Sequence, residues 1–195
     1  MLGREIELLS SALAQIECRG LRAQSRSVFG GQDAEANSVR VRKHLKRLDT
    51  ISIAVPIYFI TICVADRRPL LANSDSFAVL RSEWASARSR YGWAVGRFVV
   101  MPDDVHFFCV CDETEKSKSL SGFVGGFKQW TSKAILRLLG LRAPLWQREF
   151  FDHLLRSDES YASKWEYVRD NPVRAGFAQS AKDWPYAGEV VTIVR

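Results

Sequence analysis

The run Val55 to Ala65, VPIYFITICVA, constrains the fold more than any other stretch of the chain. It is apolar almost throughout and rich in β-branched side chains, and it is much shorter than the roughly 20 residues a membrane-spanning helix needs. Pro56 near its start also disfavours a helix through it. Such a run reads as a buried strand, and a buried strand needs partners. The sequence that follows supplies them. A turn-like DRRP leads into an amphipathic stretch from about Asp75 to Tyr91, which predicts a helix. WAVGRFVVM and VHFFCVCD have strand composition and flank a break at Pro102-Asp103-Asp104, which predicts a hairpin. Residues 119 to 139 carry apolar positions at helical spacing, with Gly140 as a fitting stop, and LWQREFFDHLL is a fourth strand candidate. The order strand, helix, strand, strand, helix, strand is the split βαβ plan of an α+β, ferredoxin-like fold, with helices covering one face of an antiparallel sheet. A final helix is expected after Ser157 as N-cap, with Asp158 and Glu159 at its positive end and Asn171-Pro172 as its finish.

Residues 1–50 differ from this pattern and read as an N-terminal appendage, leaving 51–195 as one domain. The appendage passes through a Gly/Ser/Gln-rich stretch and ends in a basic arm, where Arg40, Arg42, Lys43, His44, Lys46 and Arg47 follow one another without an acid. Either a solvated face or a phosphate-contacting arm would have this composition. The net charge of +6 favours a polyanionic partner. No stretch suits a membrane span, and the start MLGREIELLSSALAQ lacks the basic-then-apolar layout of a secretory signal, so cytoplasmic residence is the expectation. Cys18, Cys63, Cys109 and Cys111 include no CxxC pair and read as reduced thiols rather than zinc ligands.

Two pairs of residues could carry chemistry. Asp104 and His106 lie two apart at the start of a predicted strand, so their side chains share one face, either as a structural pair or as ligands of one metal. Tyr167 and Asn171 lie four apart in the terminal helix and share one helical face. A half-buried packing tyrosine and a helix-ending Asn-Pro would give the same spelling.

Taken together, VVMPDDVHFF, LWQREFFDHLLRSDESY and YVRDNPVRAGF, in this order, resemble the REP-associated tyrosine transposases, relatives of the single-tyrosine insertion-sequence transposases of the HUH type. The likeness runs from about residue 55 to about 187. It includes Met-Pro before the His-hydrophobic-His element, Trp-Gln followed by an aromatic and Asp-His, the tyrosine four residues before Asn-Pro, and the trailing DWPYAG. By position the resemblance implies that Tyr167 is the nucleophile, that His106 is the second metal-binding histidine and that Asn171 completes the metal site. Asp104 stands where the family has its first histidine. Hard cations accept carboxylate oxygen, so a shell of Asp104, His106 and Asn171 around Mg2+ or Mn2+ is expected if activity is retained.

The activity implied is single-strand DNA cleavage and rejoining on hairpin repeats through a 5′-phosphotyrosine. Lys128, Lys133, Arg137, Arg169 and Arg174 are the candidates for holding the DNA backbone, with His153 in support. Trp130, Trp146 and Trp184 are candidates for stacking on bases, or else for the core. Relatives often act as dimers, so a homodimer is one expected state beside the monomer. Two alternatives share the fold: a domesticated repeat-DNA-binding protein that no longer cuts, and a ferredoxin-like nucleic-acid-binding module that reads RNA or DNA on its sheet.

Overall fold

Side chains alternate across a strand, so apolar residues at nearly every position mean that both faces of the strand are covered. That is the situation of the first strand, β1 (Ile57–Cys63), in the computed structural model, which describes residues 56–112, 114–155 and 158–193. Ile60 and Ile62 point into one hydrophobic cluster, Ile57 and Phe59 into another. The helix α1 (Ser74–Tyr91) follows, then the hairpin β2 (Trp93–Val100) and β3 (Asp104–Cys111), the helix α2 (Leu120–Leu138) and the strand β4 (Phe151–Leu155). Helix α3 (Asp158–Arg169), a one-turn helix α4 (Asn171–Arg174) and a short edge strand β5 (Ala187–Glu189) complete the described fold. All of these lie in one unit, Ile53–Arg195. The appendage and basic arm read from residues 1–50, and Cys18, lie outside the described residues.

The sheet is antiparallel, in the order β4-β1-β3-β2-β5. Its first four strands, with α1 and α2 as crossovers, make the expected ferredoxin-like plan. Leu80, Trp84 and Ala87 of α1 and Phe123, Val124 and Phe127 of α2 are buried against Ile60, Ile62, Phe98 and Phe107. Trp84 stacks on Phe127 with ring centroids 5.6 Å apart and planes 8° apart. Local chemistry ends the helices where the sequence suggests. The Asn73 side chain accepts from the Ser76 amide, Gly92 closes α1 at φ 75°, and Ser119 caps α2.

The structure departs from the sequence expectations in three places. Helices do not cover one face only: α3 lies on the opposite face, where Tyr161, Trp165 and Val168, spaced one helical turn apart, meet Phe59, Phe108 and Leu155. The fourth strand is shorter than LWQREFFDHLL, because Leu145 to Gln147 touch the end of β1 through an isolated bridge, Val64 to Trp146, and only Phe151–Leu155 joins the ladder. Tyr167 and Asn171 do not share one helix: α3 ends at Arg169, just before Asn171-Pro172 as expected, and the pair opens α4, where proline's missing N–H costs nothing. Among the described cysteines, Cys63 and Cys109 are buried thiols and Cys111 is partly buried, none in a disulfide.

The contact of α1 with α2 depends on a glycine. A Cβ at Gly126 would come within 2.6 Å of the Tyr91 ring, whereas one at Gly125 would meet nothing within 4 Å. Tyr91 cannot withdraw easily, since its hydroxyl donates to Glu83 Oε1 at 2.6 Å and Arg90 holds the same carboxylate. Gly126→Ala is therefore expected to destabilise the fold by about 1–3 kcal/mol through overpacking. Gly125→Ala should stabilise it by about 0.5–1 kcal/mol through helix propensity. Urea denaturation of the two variants checks both signs.

Candidate functional site

The pairing of β1 with β3 sets Thr61 opposite His106, Phe59 opposite Phe108 and Cys63 opposite Asp104. These residues face the side of the sheet on which α3 lies. His106 is fixed from three directions. Its Nδ1 lies 2.9 Å from Thr61 Oγ1, its ring stacks on Phe59 with centroids 5.9 Å apart, and its Nε2 lies 3.1 Å from Asp104 Oδ1. A hydroxyl proton donated to Nδ1 would leave the Nε2 proton facing the carboxylate, a tautomer inferred from these partners.

Asp104 is 6% exposed and is held by His106 and by a second residue not marked out in the sequence. Arg67, in the short turn after β1, donates Nη1 to Asp104 Oδ2 at 2.9 Å and places Nε 2.8 Å from Asp103 Oδ2. The chain adopts an unusual backbone to do so: Asp66 and Arg67 both have left-handed φ, 56° and 55°. This conformation costs roughly 1–2 kcal/mol per residue outside glycine. Burial alone would push the Asp104 carboxyl above the usual range, but His106 and Arg67 outweigh it and hold it below. Burial likewise opposes the Arg67 charge, and Asp104 and Asp103 more than compensate, so the guanidinium is held more firmly protonated than usual. Asp103 moves the other way, raised by burial and by the neighbouring Asp104. The signal for Arg67 was the DRRP turn. Its proximity to Asp104 follows only from knowing that β1 and β3 are neighbours.

The arrangement does not fit a divalent metal. Asp104 Oδ2 is taken by a fixed cation, and both imidazole nitrogens of His106 have close partners. Asp104 Oδ1 faces His106 Nε2 at 3.1 Å without an aligned hydrogen bond to it, and a six-coordinate ion needs more than this pair. Among the described residues no group of three or more His, Cys, Asp or Glu side chains is arranged to hold an ion. Asn171, expected to complete the shell, is engaged elsewhere: its Oδ1 accepts from Arg174, which also donates to the Tyr167 carbonyl at 2.8 Å.

Tyr167 is partly buried on the same side of the sheet as His106. The Arg174 guanidinium carbon lies 3.9 Å from its ring centroid and Lys164 Nζ lies 5.7 Å from it, while Lys164 is also 4.6 Å from the centre of the Phe59 ring that stacks on His106. Lys164, one helical turn before Tyr167, is thus a second residue the sequence analysis missed. Exposed Arg169 belongs to the same helix, beside Asp170.

The other predicted contacts divide between the two sides. Lys133 and Arg137 are exposed on α2, which covers the opposite face, where Lys133 and Arg90 flank Trp130, 50% exposed. Lys128 donates to the backbone carbonyls of Arg148 and Glu149, and burial lowers its pKa, so it ties α2 to the following loop. Trp146 is buried with its Nε1 donating to Thr131, and Trp184 donates to the Val100 carbonyl, so both are structural. His153 is exposed on β4 opposite Phe59, on the α3 side of the sheet. No helix among the described residues is long and apolar enough to cross a membrane.

No family model matches the chain. Curated relatives do: a protein of Haemophilus influenzae provisionally described as a REP-associated tyrosine transposase is 26% identical over 138 residues, covering 67% of this chain and 78% of its own length. A REP-associated tyrosine transposase of Escherichia coli is 24% identical over 132 residues, covering 67% and 74%. A solved structure of a REP-associated tyrosine transposase bound to a REP hairpin superposes with a TM-score of 0.57 at 22% identity, covering 73% of this chain and 82% of that one, and it supports the α+β fold. The resemblance read from the motifs is borne out by these relatives.

The ion pair at Asp104 makes a pH-dependent contribution of defined sign. A carboxyl whose folded pKa is depressed stabilises the fold above its unfolded pKa, and this is lost as pH falls through the folded value. Wild type should exceed Asp104→Asn by roughly 1–2 kcal/mol near neutrality, a figure that allows for the solvent exposure of Arg67. The gap should close as pH falls below the ordinary carboxyl value of about 4 and through the lower folded-state value. Urea midpoints of the two proteins across that range provide the check.

Proposed function

We propose that this chain is a transposase-like DNA-processing protein that takes hairpin or single-stranded repeat DNA against α3 and α4, with Tyr167 as its nucleophile. The observation that carries this reading is the setting of Tyr167: a phenol on a surface helix, flanked by Arg174 and Lys164, on the sheet face that also presents His106. Two fixed positive charges beside a phenol suit a phosphodiester brought to it, since both could meet the non-bridging oxygens. The relatives named for transposition, and the hairpin bound by a protein of the same fold, agree in kind.

In the reaction proposed, the Tyr167 oxygen attacks phosphorus, a tyrosine–phosphate bond forms and the bond to the 3′ oxygen breaks. The phenol gives up its proton, and the departing 3′ oxygen takes one up as a hydroxyl. The phosphodiester energy stays in the 5′-phosphotyrosine, so a second 3′-hydroxyl can reverse the step and rejoin strands. Lys164 and Arg174 orient the phosphate and offset charge in the transition state, and Arg169 holds the flanking backbone. Lys133 and Arg137, on the other side of the sheet, could reach only a different segment of the DNA. Because Arg67 already neutralises Asp104, no step is assigned to a divalent ion.

A second reading, hairpin binding without cleavage, is favoured by the Arg174 guanidinium that covers the Tyr167 ring and bonds Asn171. Labelled hairpin DNA separates the two. A covalent adduct formed by wild type and absent from Tyr167→Phe supports the nucleophile, hairpin binding without an adduct in wild type supports the second reading, and an equal adduct in Tyr167→Phe overturns the first. Under either reading, Lys164→Ala and Arg174→Ala should weaken hairpin binding across sequences and reduce the salt slope by about 1 each, as measured by fluorescence anisotropy at several salt concentrations.

A further inference from the structure

We propose that the Arg67 guanidinium takes the place of a divalent cation at the Asp104–His106 pair, so that the site excludes metal and the chain holds DNA without one. The proposal rests on reading this pair as the counterpart of a transposase's metal-binding residues, and it adds how the pair is used here.

The geometry on the β3 side of the turn points to a substitution of charge for charge. A buried carboxylate requires a cation, and Arg67 supplies one with two of its donors, Nη1 to Asp104 at 2.9 Å and Nε to Asp103 at 2.8 Å. The other Asp104 oxygen faces His106, whose remaining nitrogen is bonded to Thr61. A metal taking both Asp104 oxygens would have to displace Arg67, and even one approaching Oδ1 and His106 would meet the guanidinium on the same carboxylate and be repelled by it. Two consecutive non-glycine residues with left-handed φ, Asp66 and Arg67, carry the guanidinium to this position. Such strain persists only where the surrounding contacts fix it, and here those contacts are the two carboxylates.

Removing Arg67 would leave a different chemistry. Asp104 and His106 would then present a carboxylate and an imidazole, 3.1 Å apart, without the competing guanidinium, donors that Mn2+ accepts together with water. Arg67 thus acts as a latch whose loss should convert a closed ion pair into an open cation site. The arrangement also predicts that hairpin DNA binding is insensitive to chelators.

Mn2+ binding to the full chain, followed by electron paramagnetic resonance, tests this directly. Wild type is expected to hold no Mn2+ at this site, while Arg67→Ala should bind it at least about tenfold more tightly than wild type, and the gain should vanish in Arg67→Ala/Asp104→Asn. Arg67→Gln, which keeps donors but lacks the charge, provides the same comparison if the alanine variant does not fold. Hairpin affinity of wild type should be equal in EDTA and in Mn2+. Stoichiometric Mn2+ binding by wild type that is lost in Asp104→Asn would overturn the proposal, as would a folded Arg67 variant that gains no Mn2+. Both readouts are independent of strand cleavage, so failure to form a Tyr167 adduct leaves this test intact.

Discussion

The antiparallel pairing of β1 with β3 is the constraint on which the rest of the structure depends. Its register sets Thr61 against His106, Phe59 against Phe108 and Cys63 against Asp104, and it brings the turn after β1 to the start of β3. A slip of one residue would carry His106 and Asp104 into the cluster around Trp84 and Phe127 and expose Phe107 in their place. It would also part Arg67 from its two aspartates. The register is strongly specified because both faces of these strands are buried, by α1 and α2 on one side and by α3 on the other.

The two faces do different work. The face under α1 and α2 is a nearly continuous aromatic and aliphatic core whose polar groups are caps and helix contacts, such as the Glu83–Tyr91–Arg90 cluster. The face under α3 is mixed. Phe59, Phe108, Tyr161 and Trp165 seat the helix, while Asp104, Thr61 and His106 form a polar row at one end, and Lys164, Tyr167 and Arg174 gather along the helix itself. Arg97 reinforces the seat, lying 5.5 Å from both the Tyr161 and Trp165 rings. Aromatic docking thus positions the tyrosine, and electrostatics shapes what surrounds it.

Much of this was legible in the sequence. The run from Val55, the Pro102 break and the helical spacing after Ser119 led to the order of elements, because each reflects local chemistry. The shared face of Asp104 and His106 followed from the strand period alone. What remained hidden needed contacts between distant segments. Arg67 precedes Asp104 by 37 positions and was spelled like an ordinary turn. Lys128 looked like a surface cation until its carbonyl partners were seen, and no sequence feature told which face of the sheet Lys133 or Arg169 would serve. The Asn-Pro pair marked the end of α3 but hid the helical turn it opens, because proline suits the first turn of a helix as well as the stretch after one.

The seating of α3 on the face that carries His106 is the central claim, and proton NMR of the aromatic side chains reads it most directly. Cross-relaxation is predicted between the rings of Phe108 and Tyr161, whose centroids lie 4.9 Å apart, and between those of Phe59 and His106. Contacts of Tyr161 or Trp165 with Phe107 or Phe127 instead would place α3 on the other face, separate Tyr167 from the Asp104–His106 pair, and contradict the account.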